Sequence, residues 1–442
     1  METFSDAVAA LVELGAGGLA RFEASLDPKW VSEALTATGT ASVRRRKLPA
    51  EQAVWAVLGM ALFEDRSIRD VVDHLSLVLP GVRSLAPSAV TQARARLGVA
   101  PLEHLFDRVA RAWSDGPAGD GYRGLSLYGV DGVCLRVQDT PSNQEHFGKP
   151  GGRAGANDAG YPQLRAACLL NLSTRMLRAA RFGPYRLSEE EIARPLWTEL
   201  PPKSLTIFDR GFSSYALFAA LIDRGEERHF MVRLREDASF ETVEALHDGS
   251  ARVTLCPSRT VLKNTPGIRP QITARVIAYH HPGGRPGRIL TTLLDADAYP
   301  AAELIRLYHE RWEIELAYDE LKTHMLERNE SLRSKTPDGV AQELWGLLTV
   351  YNLVRREMAM VARDNHLEPK RISFRSSLMW IRNFWLTALR TAPGNIPKQL
   401  ASLRSSLNVL ILPERRSERR YPRHVKIKMS KFPRNRGPLA AN

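Results

Sequence analysis

The sequence predicts an α/β protein in which a mixed sheet with a mainly β insertion is flanked by an α-helical N-terminal domain and a helical C-terminal region. Three observations predict it. Apolar residues recur at helical spacing through the first 115 residues, fall from residue 120 into short alternating or continuous runs bounded by turn formers, and return to helical spacing after Ala301. With 442 residues, 44% hydrophobic and 25% charged, the chain has room for two or three domains and an ordinary globular makeup.

In chain order, Val8–Leu14, Ala53–Leu62 and Ile68–Leu79 read as helices, with the basic run Arg44-Arg45-Arg46-Lys47 between the first two. Ser67–Leu97 has the outline of a helix-turn-helix: Ile68–Leu79, a connection over Pro80–Ala86, and a second helix opening at Pro87-Ser88. Its Gln92, Arg94 and Arg96 either face DNA or belong to a helix pair that simply packs. After Pro117–Gly121, Leu125–Val130 and Val133–Val137 read as strands paired about an Asp131-Gly132 turn. Leu164–Leu172 and Met176–Phe182 form a second pair, turning at Ser173-Thr174. A helix over Ser188–Glu199, a buried strand over Ser204–Phe208, a helix over Ser214–Arg224 and a strand over His229–Leu234 follow. Antiparallel strands followed by helix, strand, helix, strand is the layout of a ribonuclease-H-like sheet. Beyond it, Arg252–Leu255, Thr260–Lys263 and Gln271–Tyr279 are candidate strands, then Ile289–Leu294. A long helix from Ala301 to about Met325 and helices over Gly339–Ala362 and Phe374–Arg390 close the pattern. The expected domains are residues 1–115 (helical), 120–235 with 289–365 (the ribonuclease-H-like sheet), 236–288 (β insertion), 366–412 (C-terminal helices) and 413–442 (basic tail).

Sixty-two Lys and Arg stand against forty-nine Asp and Glu, a formal +13. That excess suits a polyanion, either nucleic acid or an acidic membrane surface. Residues 414–442 carry ten of the basic residues and two Glu, so +8 of the total sits in the tail. The tail is either a solvated end or, with Tyr421, Phe432 and its prolines, an extended arm that docks on phosphate backbone. Three isolated cysteines, Cys134, Cys168 and Cys256, exclude a disulfide scaffold or zinc ribbon and fit a reducing cytoplasm. The N-terminus lacks the basic start and small-residue cleavage site of a signal peptide. No apolar run approaches about eighteen residues, so a membrane partner is set aside.

Asp131 closes Leu125–Val130 and Asp209 closes Ser204–Phe208. A carboxylate at a strand end can point into the crevice where an open α/β sheet binds ligands. Alone, each reads better as a turn former, being followed by Gly132 or by Arg210-Gly211. The helix from Ala301 alters this balance. At roughly 100° per residue Tyr308, Arg311, Glu315 and Lys322 fall within about 60° of one another. They form a polar stripe beside an apolar one of Leu307, Ile314, Tyr318 and Leu321. The stripe also reads as an exposed face with an Arg311–Glu315 ion pair. Two aspartates and a glutamate supply hard oxygen ligands that suit two Mg²⁺ or Mn²⁺ ions. Metals about 4 Å apart clamp the attacking and leaving oxygens of an in-line phosphoryl displacement. Arg311 and Lys322 would then meet the flanking phosphates, and Tyr308 would add a hydroxyl.

The run Tyr308-His309-Glu310-Arg311-Trp312-Glu313-Ile314-Glu315, with Lys322 after it, resembles the YREK signature of the fourth insertion-sequence family of transposases, bacterial enzymes of the DDE type. Asp131-Gly132 with Asp139-Thr140-Pro141 and Asn143 resembles that family's first-aspartate region, and Phe208-Asp209-Arg210-Gly211-Phe212 its second. Leu332-Arg333-Ser334-Lys335 resembles a block that follows the signature helix. The resemblance spans about residues 125–360 and reaches more loosely to the helical N-terminus and the Arg-Arg-Tyr-Pro-Arg tail. It implies a ribonuclease-H-like catalytic domain interrupted by a β insertion, for which the 106 positions from Asp209 to Glu315 leave room. It implies Asp131, Asp209 and Glu315 as catalytic metal ligands, and Tyr308, Arg311, Lys322 and Arg210 as DNA contacts. The implied reaction is metal-dependent cleavage of transposon ends and strand transfer into target DNA, with Mg²⁺ or Mn²⁺ as cofactor. The implied partners are double-stranded DNA, both terminal inverted repeats and target, and a second copy of the chain in a homodimer on DNA. The implied location is the nucleoid of the bacterial cytoplasm. Hairpin-forming members use a tryptophan in the insertion to manage a flipped base. This chain has none between Trp197 and Trp312, which leaves Phe240, Tyr279 or His281 as a substitute, or a different second-strand step. A non-catalytic DNA-binding regulator, or a nuclease that hydrolyses without joining, would share the basic tail. A pure binder has no need of the complete acidic triad.

Overall fold

The computed structural model describes residues 26–41, 48–74, 86–114, 121–150, 160–225, 227–280, 286–327, 331–388 and 410–413. The expected helix over Val8–Leu14, the run Arg44-Arg45-Arg46-Lys47, most of the Pro80–Ala86 connection, His281 and the tail from residue 414 lie outside them.

Helices α1 (Pro28–Ala37), α2 (Ala50–Leu62), α3 (Ile68–His74), α4 (Pro87–Leu97) and α5 (Ala100–Ser114) come first. Asp27 starts α1 by accepting the Lys29 N–H, with Pro28 at the first turn where no donor is needed. α2 is buried from Gln52 to Leu62, as a helix apolar on every side must be. α5 buries Leu102, Leu105, Phe106, Val109 and Trp113, a one-sided stripe at helical spacing. On α4, Gln92 and Arg96 are exposed, but Arg94 is buried and donates to Gln342 Oε1, Ser334 Oγ and the Gly339 carbonyl. Arg94 therefore does not face DNA. Its guanidinium is held by tertiary acceptors that no local pattern reveals.

Strands β1 (Ser126–Arg136), β2 (Gln163–Asn171), β3 (Leu177–Pro184), β4 (Ser204–Phe208) and β5 (Arg228–Arg233) lie in the order β3-β2-β1-β4-β5. The first three are antiparallel, and β1, β4 and β5 run parallel, as a ribonuclease-H-like sheet requires. Helices α6 (Pro141–Phe147), α7 (Glu189–Ala193) and α8 (Tyr215–Ile222) lie on the connections. Beyond β5 come β6 (Glu241–Ala245), β7 (Ala251–Leu255), α9 (Arg259–Asn264), β8 (Ile272–Tyr279) and β9 (Gly287–Thr291). β9 pairs antiparallel with β5, so these strands extend the same sheet to nine strands among the described residues.

Several elements differ from expectation. Asp131-Gly132 is not a turn: β1 runs through it in unbroken register, with Asp131 opposite Cys168 and Gly132 opposite Ala167. Pairing with β2 overrides the local preference of the two residues. Thr260–Lys263 lies in helix α9 rather than a strand, because the Ser258 hydroxyl accepts the Val261 N–H and caps it. β6 is exposed along its whole length and so has no apolar alternation to announce it. The helix expected over Ser188–Glu199 leaves α geometry at Arg194, beside Pro195, and ends as a 3₁₀ turn.

Helices α10 (Ala301–Tyr308), α11 (Trp312–Asp319), α12 (Pro337–Asp364) and α13 (Phe374–Ala388) follow. The helix expected to run unbroken from Ala301 is interrupted by a 3₁₀ turn at His309–Arg311 and closes in a π turn at Glu320–Met325. The angular stripe that assumed one uniform helix therefore does not carry through to Lys322.

Alternate residues of β1 serve two cores. Leu127 and Leu135 face one, shared with Trp55, Phe106, Ile314 and Tyr351 of the helices. Tyr128 and Val130 face the other, with Trp197, Phe208, Phe218 and Phe230. The N-terminal helices thus share a core with the sheet. Fully buried Asn352 of α12 bonds both the N–H and the carbonyl of Leu177, tying β3 to that helix. No helix among the described residues is long and apolar enough to cross a membrane.

Candidate active site

Parallel pairing of β1 with β4 ends at Val130 opposite Phe208. Asp131 and Asp209 are the next residues on these neighbouring strands, and strands in a sheet lie about 4.8 Å apart. β1 continues on β2 alone, while the chain leaves β4 through a 3₁₀ turn at Arg210–Phe212. A notch opens where β1 and β4 part, at the carboxyl end of β4, where the strand order changes direction. Open α/β sheets bind ligands at such a point.

The segment α10–α11 is fastened to both strands, where they part, by tyrosine hydroxyls. Tyr308 donates to the Phe208 carbonyl at 3.3 Å, and Tyr318 to the Asp131 carbonyl at 2.6 Å. Burial holds both phenols above their ordinary range, so both stay donors at neutral pH. Between them Arg311 pairs with Glu315, Nη2 to Oε1 at 2.8 Å. Burial opposes the Arg311 charge, but Asp209, Tyr308 and Glu315 outweigh it, and the same guanidinium favours ionised Asp131. Arg311 is felt by all three expected acids. Its neighbour Trp312 leaves half its surface in solvent, with the guanidinium 5.6 Å from its ring.

The other acids of this segment are engaged elsewhere. Glu310 pairs with Lys370 at 2.7 Å, and Asp319 accepts the Thr323 hydroxyl. Glu313 binds Arg175, while Glu320 lies between Arg175 and Arg355, with all of these side chains buried. Glu315 is paired instead with Arg311, whose charge also reaches Asp209 and Asp131.

Beside Asp131 lies a residue that the sequence reading passes over. Glu189 opens α7, and its carboxyl occupies the space a Cβ on Gly132 would need, 2.5 Å from both Cδ and Oε1. Glycine at 132 makes room for it. Glu189 Oε1 is buried with no hydrogen-bond partner. Burial and then this neighbouring carboxyl push Asp131 up to about 7, against the pull of the Gly132 N–H and Arg311. The three consecutive glutamates of residues 189–191 look like an ordinary acidic helix start, which hides this one.

As they stand, no three His, Cys, Asp or Glu side chains among the described residues are gathered closely enough to hold a metal ion. Glu315 is held by Arg311 instead. The side chains nevertheless suit a hard divalent cation: every candidate donor is a carboxylate oxygen, two carboxyls are pressed together, and one buried oxygen lacks a partner.

Arg210 is exposed and lines an open cleft with Asp209, Gly211, Arg233 and Arg235, continued by Arg288. Arg233 and Arg235 escape the sequence reading because strand ends carry no stripe to single them out. Lys322 is exposed on the π turn near Cys134. Of the aromatics considered for base handling, Tyr279 is buried against Tyr308 and Phe240 is half-buried under Arg288.

The two remaining motif blocks bind each other. Thr140 and Ser142 donate to the Lys335 carbonyl, and Asn143 donates to the Ser334 carbonyl. Arg333 reaches the carbonyls of Met60 and Arg66. This clamp joins the chain leaving β1 to the chain leaving the Glu315 helix, fixing one against the other.

Residues 17–107 match the family described as Insertion element 4 transposase N-terminal, and residues 123–353 the Transposase DDE domain. The chain is 38% identical over 412 residues to the transposase InsG for insertion sequence element IS4 of Escherichia coli (strain K12), covering 92% of each. Among solved structures it is similar to the piggyBac transposase in a cryo-EM synaptic complex with hairpin DNA, with a TM-score of 0.43 and 12% identity over 90% of this chain and 85% of that one. The two domain matches in sequence order and the full-length likeness to InsG place the chain in the IS4 family of DDE transposases.

Proposed function

We propose that this transposase moves DNA by cut and paste, with Asp131, Asp209 and Glu315 holding two Mg²⁺ or Mn²⁺ ions at the notch between β1 and β4. One observation carries the reading: β1–β4 pairing stops just before two aspartates, and Tyr308 and Tyr318 fasten the α10–α11 segment that carries Glu315 to those two strands at that point. When bound, the ions supply charge stabilisation to the attacking and leaving oxygens of an in-line displacement. Arg311 is paired with Glu315; with Glu315 on a bound cation, its guanidinium would be free to meet a phosphate. Arg210, with Arg233 and Arg235, lines the path of the strand past Asp209, and Lys322 meets the backbone beyond. Tyr308, expected to meet DNA, is instead buried with its hydroxyl on the carbonyl just before Asp209, and serves to position that acid.

Two displacements account for the transferred strand, and release from the donor adds a cut of the other strand. Water attacks a phosphodiester at the transposon end; its oxygen stays on phosphorus, and the 3′ oxygen leaves as a hydroxyl. That 3′ oxygen then attacks a target phosphodiester, and the target's own 3′ oxygen departs with a proton. One phosphodiester replaces another, so joining needs no external energy source. Handling two inverted repeats together calls for a homodimer on double-stranded DNA.

Replacing Asp131, Asp209 or Glu315 by Ala should lower Mg²⁺-dependent end cleavage by more than the roughly hundredfold that outer groups of a metal site reach. End binding in a gel-shift assay should stay within about threefold, since phosphate contacts carry it. Normal cutting and joining by Glu315→Ala would falsify the assignment.

A further inference from the structure

The three glutamates that open α7 have different occupations. Glu191 closes a capping box, accepting the Ser188 N–H and hydroxyl. Glu190 accepts the hydroxyl of Ser214, the residue that caps α8. Glu189 does neither. Its carboxyl is turned onto β1 at Gly132, so close that any side chain there would collide with it at 2.5 Å. Its Oε1 is removed from water and has no hydrogen-bond partner.

A carboxylate oxygen buried without a donor is costly, and setting the group beside a second carboxyl adds to that cost. Favourable interaction with a helix N-terminus does not explain the position, because α7 has only five residues. A glutamate serving that purpose also has no reason to bury an oxygen against the neighbouring strand. A cation placed between the acids removes both penalties at once.

We propose that Glu189 is a fourth carboxylate ligand of the metal site, bound through the oxygen that now lacks a partner, and that Gly132 is glycine so that it can reach there. The assignment rests on the reading of Asp131, Asp209 and Glu315 as metal ligands, and adds to it a residue from a separate element. It makes the Asp131 side of the site richer in charge than the Glu315 side. The ion held there would be the more firmly bound of the two.

The test uses the full chain without DNA and titrates it with Mn²⁺, following loss of the free-ion EPR signal. Glu189→Gln keeps the shape of the side chain and removes its charge. It should weaken Mn²⁺ binding by roughly tenfold or more, as Asp131→Asn should, since even outer groups of a metal site act on that scale. Glu190→Gln, next along the same helix, should bind Mn²⁺ like the unaltered chain. Without metal, Glu189→Gln should melt at the same temperature as the unaltered chain or higher, while the rise in melting temperature caused by Mn²⁺ shrinks. If Asp131→Asn loses Mn²⁺ and Glu189→Gln does not, the fourth ligand is refuted and the triad stands. If neither change affects Mn²⁺ binding, the triad reading falls and the fourth ligand falls with it.

Discussion

A phenol hydroxyl on a strand carbonyl is a small interaction in a place where small displacements are amplified. Tyr318 is 7% exposed and holds the Asp131 carbonyl from the same helix that carries Glu315. Tyr318→Phe keeps the ring packed and removes the bond to that carbonyl, about 1 kcal/mol of stability, together with the hydroxyl's contact with Cys168. Misplacing a reacting constellation by about 1 Å can cost on the order of a hundredfold in rate. End cleavage is therefore expected to fall by roughly tenfold or more while end binding stays level; single-turnover cleavage at saturating Mg²⁺ measures it, and an unaltered rate would show that the hydroxyl plays no positioning part. The sequence places Tyr318 on the anchoring face of its helix but does not name its partner, because Asp131-Gly132 reads locally as a turn. What overrides that reading is non-local: nine register pairs with β2, and a glutamate on α7 that needs the space beside Gly132.

The segment around Glu315 shows what periodicity can and cannot supply. Its existence and its apolar anchors are legible, since Ile314, Tyr318 and Leu321 are all buried where an amphipathic helix must meet a core. Its 3₁₀ and π turns are not, because nothing local sets the position of Glu320. That carboxylate lies between Arg175, from the turn joining β2 to β3, and Arg355 of α12, which is 1% exposed. Glu320→Ala would leave buried Arg355 without the acid it pairs with, and Arg175 with Glu313 alone. Breaking a buried ion pair from one side costs about 3–5 kcal/mol. Marked thermal destabilisation is expected, with activity lost only as the protein unfolds. A variant with normal melting would mean that water or another acid reaches those arginines, and that Glu320 does not hold the helix in place.

At the scale of the whole molecule, segments far apart in sequence meet at the carboxyl end of α2. Arg333, from the block after the Glu315 helix, donates to the carbonyls of Met60 and Arg66, and its guanidinium lies 3.5 Å from Glu64. Arg382 of α13 donates to the Leu62 carbonyl and pairs with Glu327. The sequence shows these segments as separate elements and gives no sign that they share one junction, since each contact needs the completed core to bring it about. Glu64 sits inside this junction at 8% exposure. Burial pushes its carboxyl from 4.5 up to about 7; Arg333 opposes the shift, and Glu343 and Glu327 add to it. Because the folded value lies above the unfolded one, the contribution of Glu64 to stability is fully present below about pH 4.5. It is lost as pH rises to about 7, where the unfolded chain has already released the proton that the fold retains. Glu64→Gln removes that dependence while keeping an acceptor for Arg333. Its unfolding free energy relative to the unaltered chain should rise between pH 5 and pH 8 by about 2 kcal/mol, as urea titrations at the two pH values would measure. A difference that stays constant or shrinks across that interval would mean that Glu64 ionises freely, with water entering the junction between the N-terminal helices and the chain leaving the active-site helix.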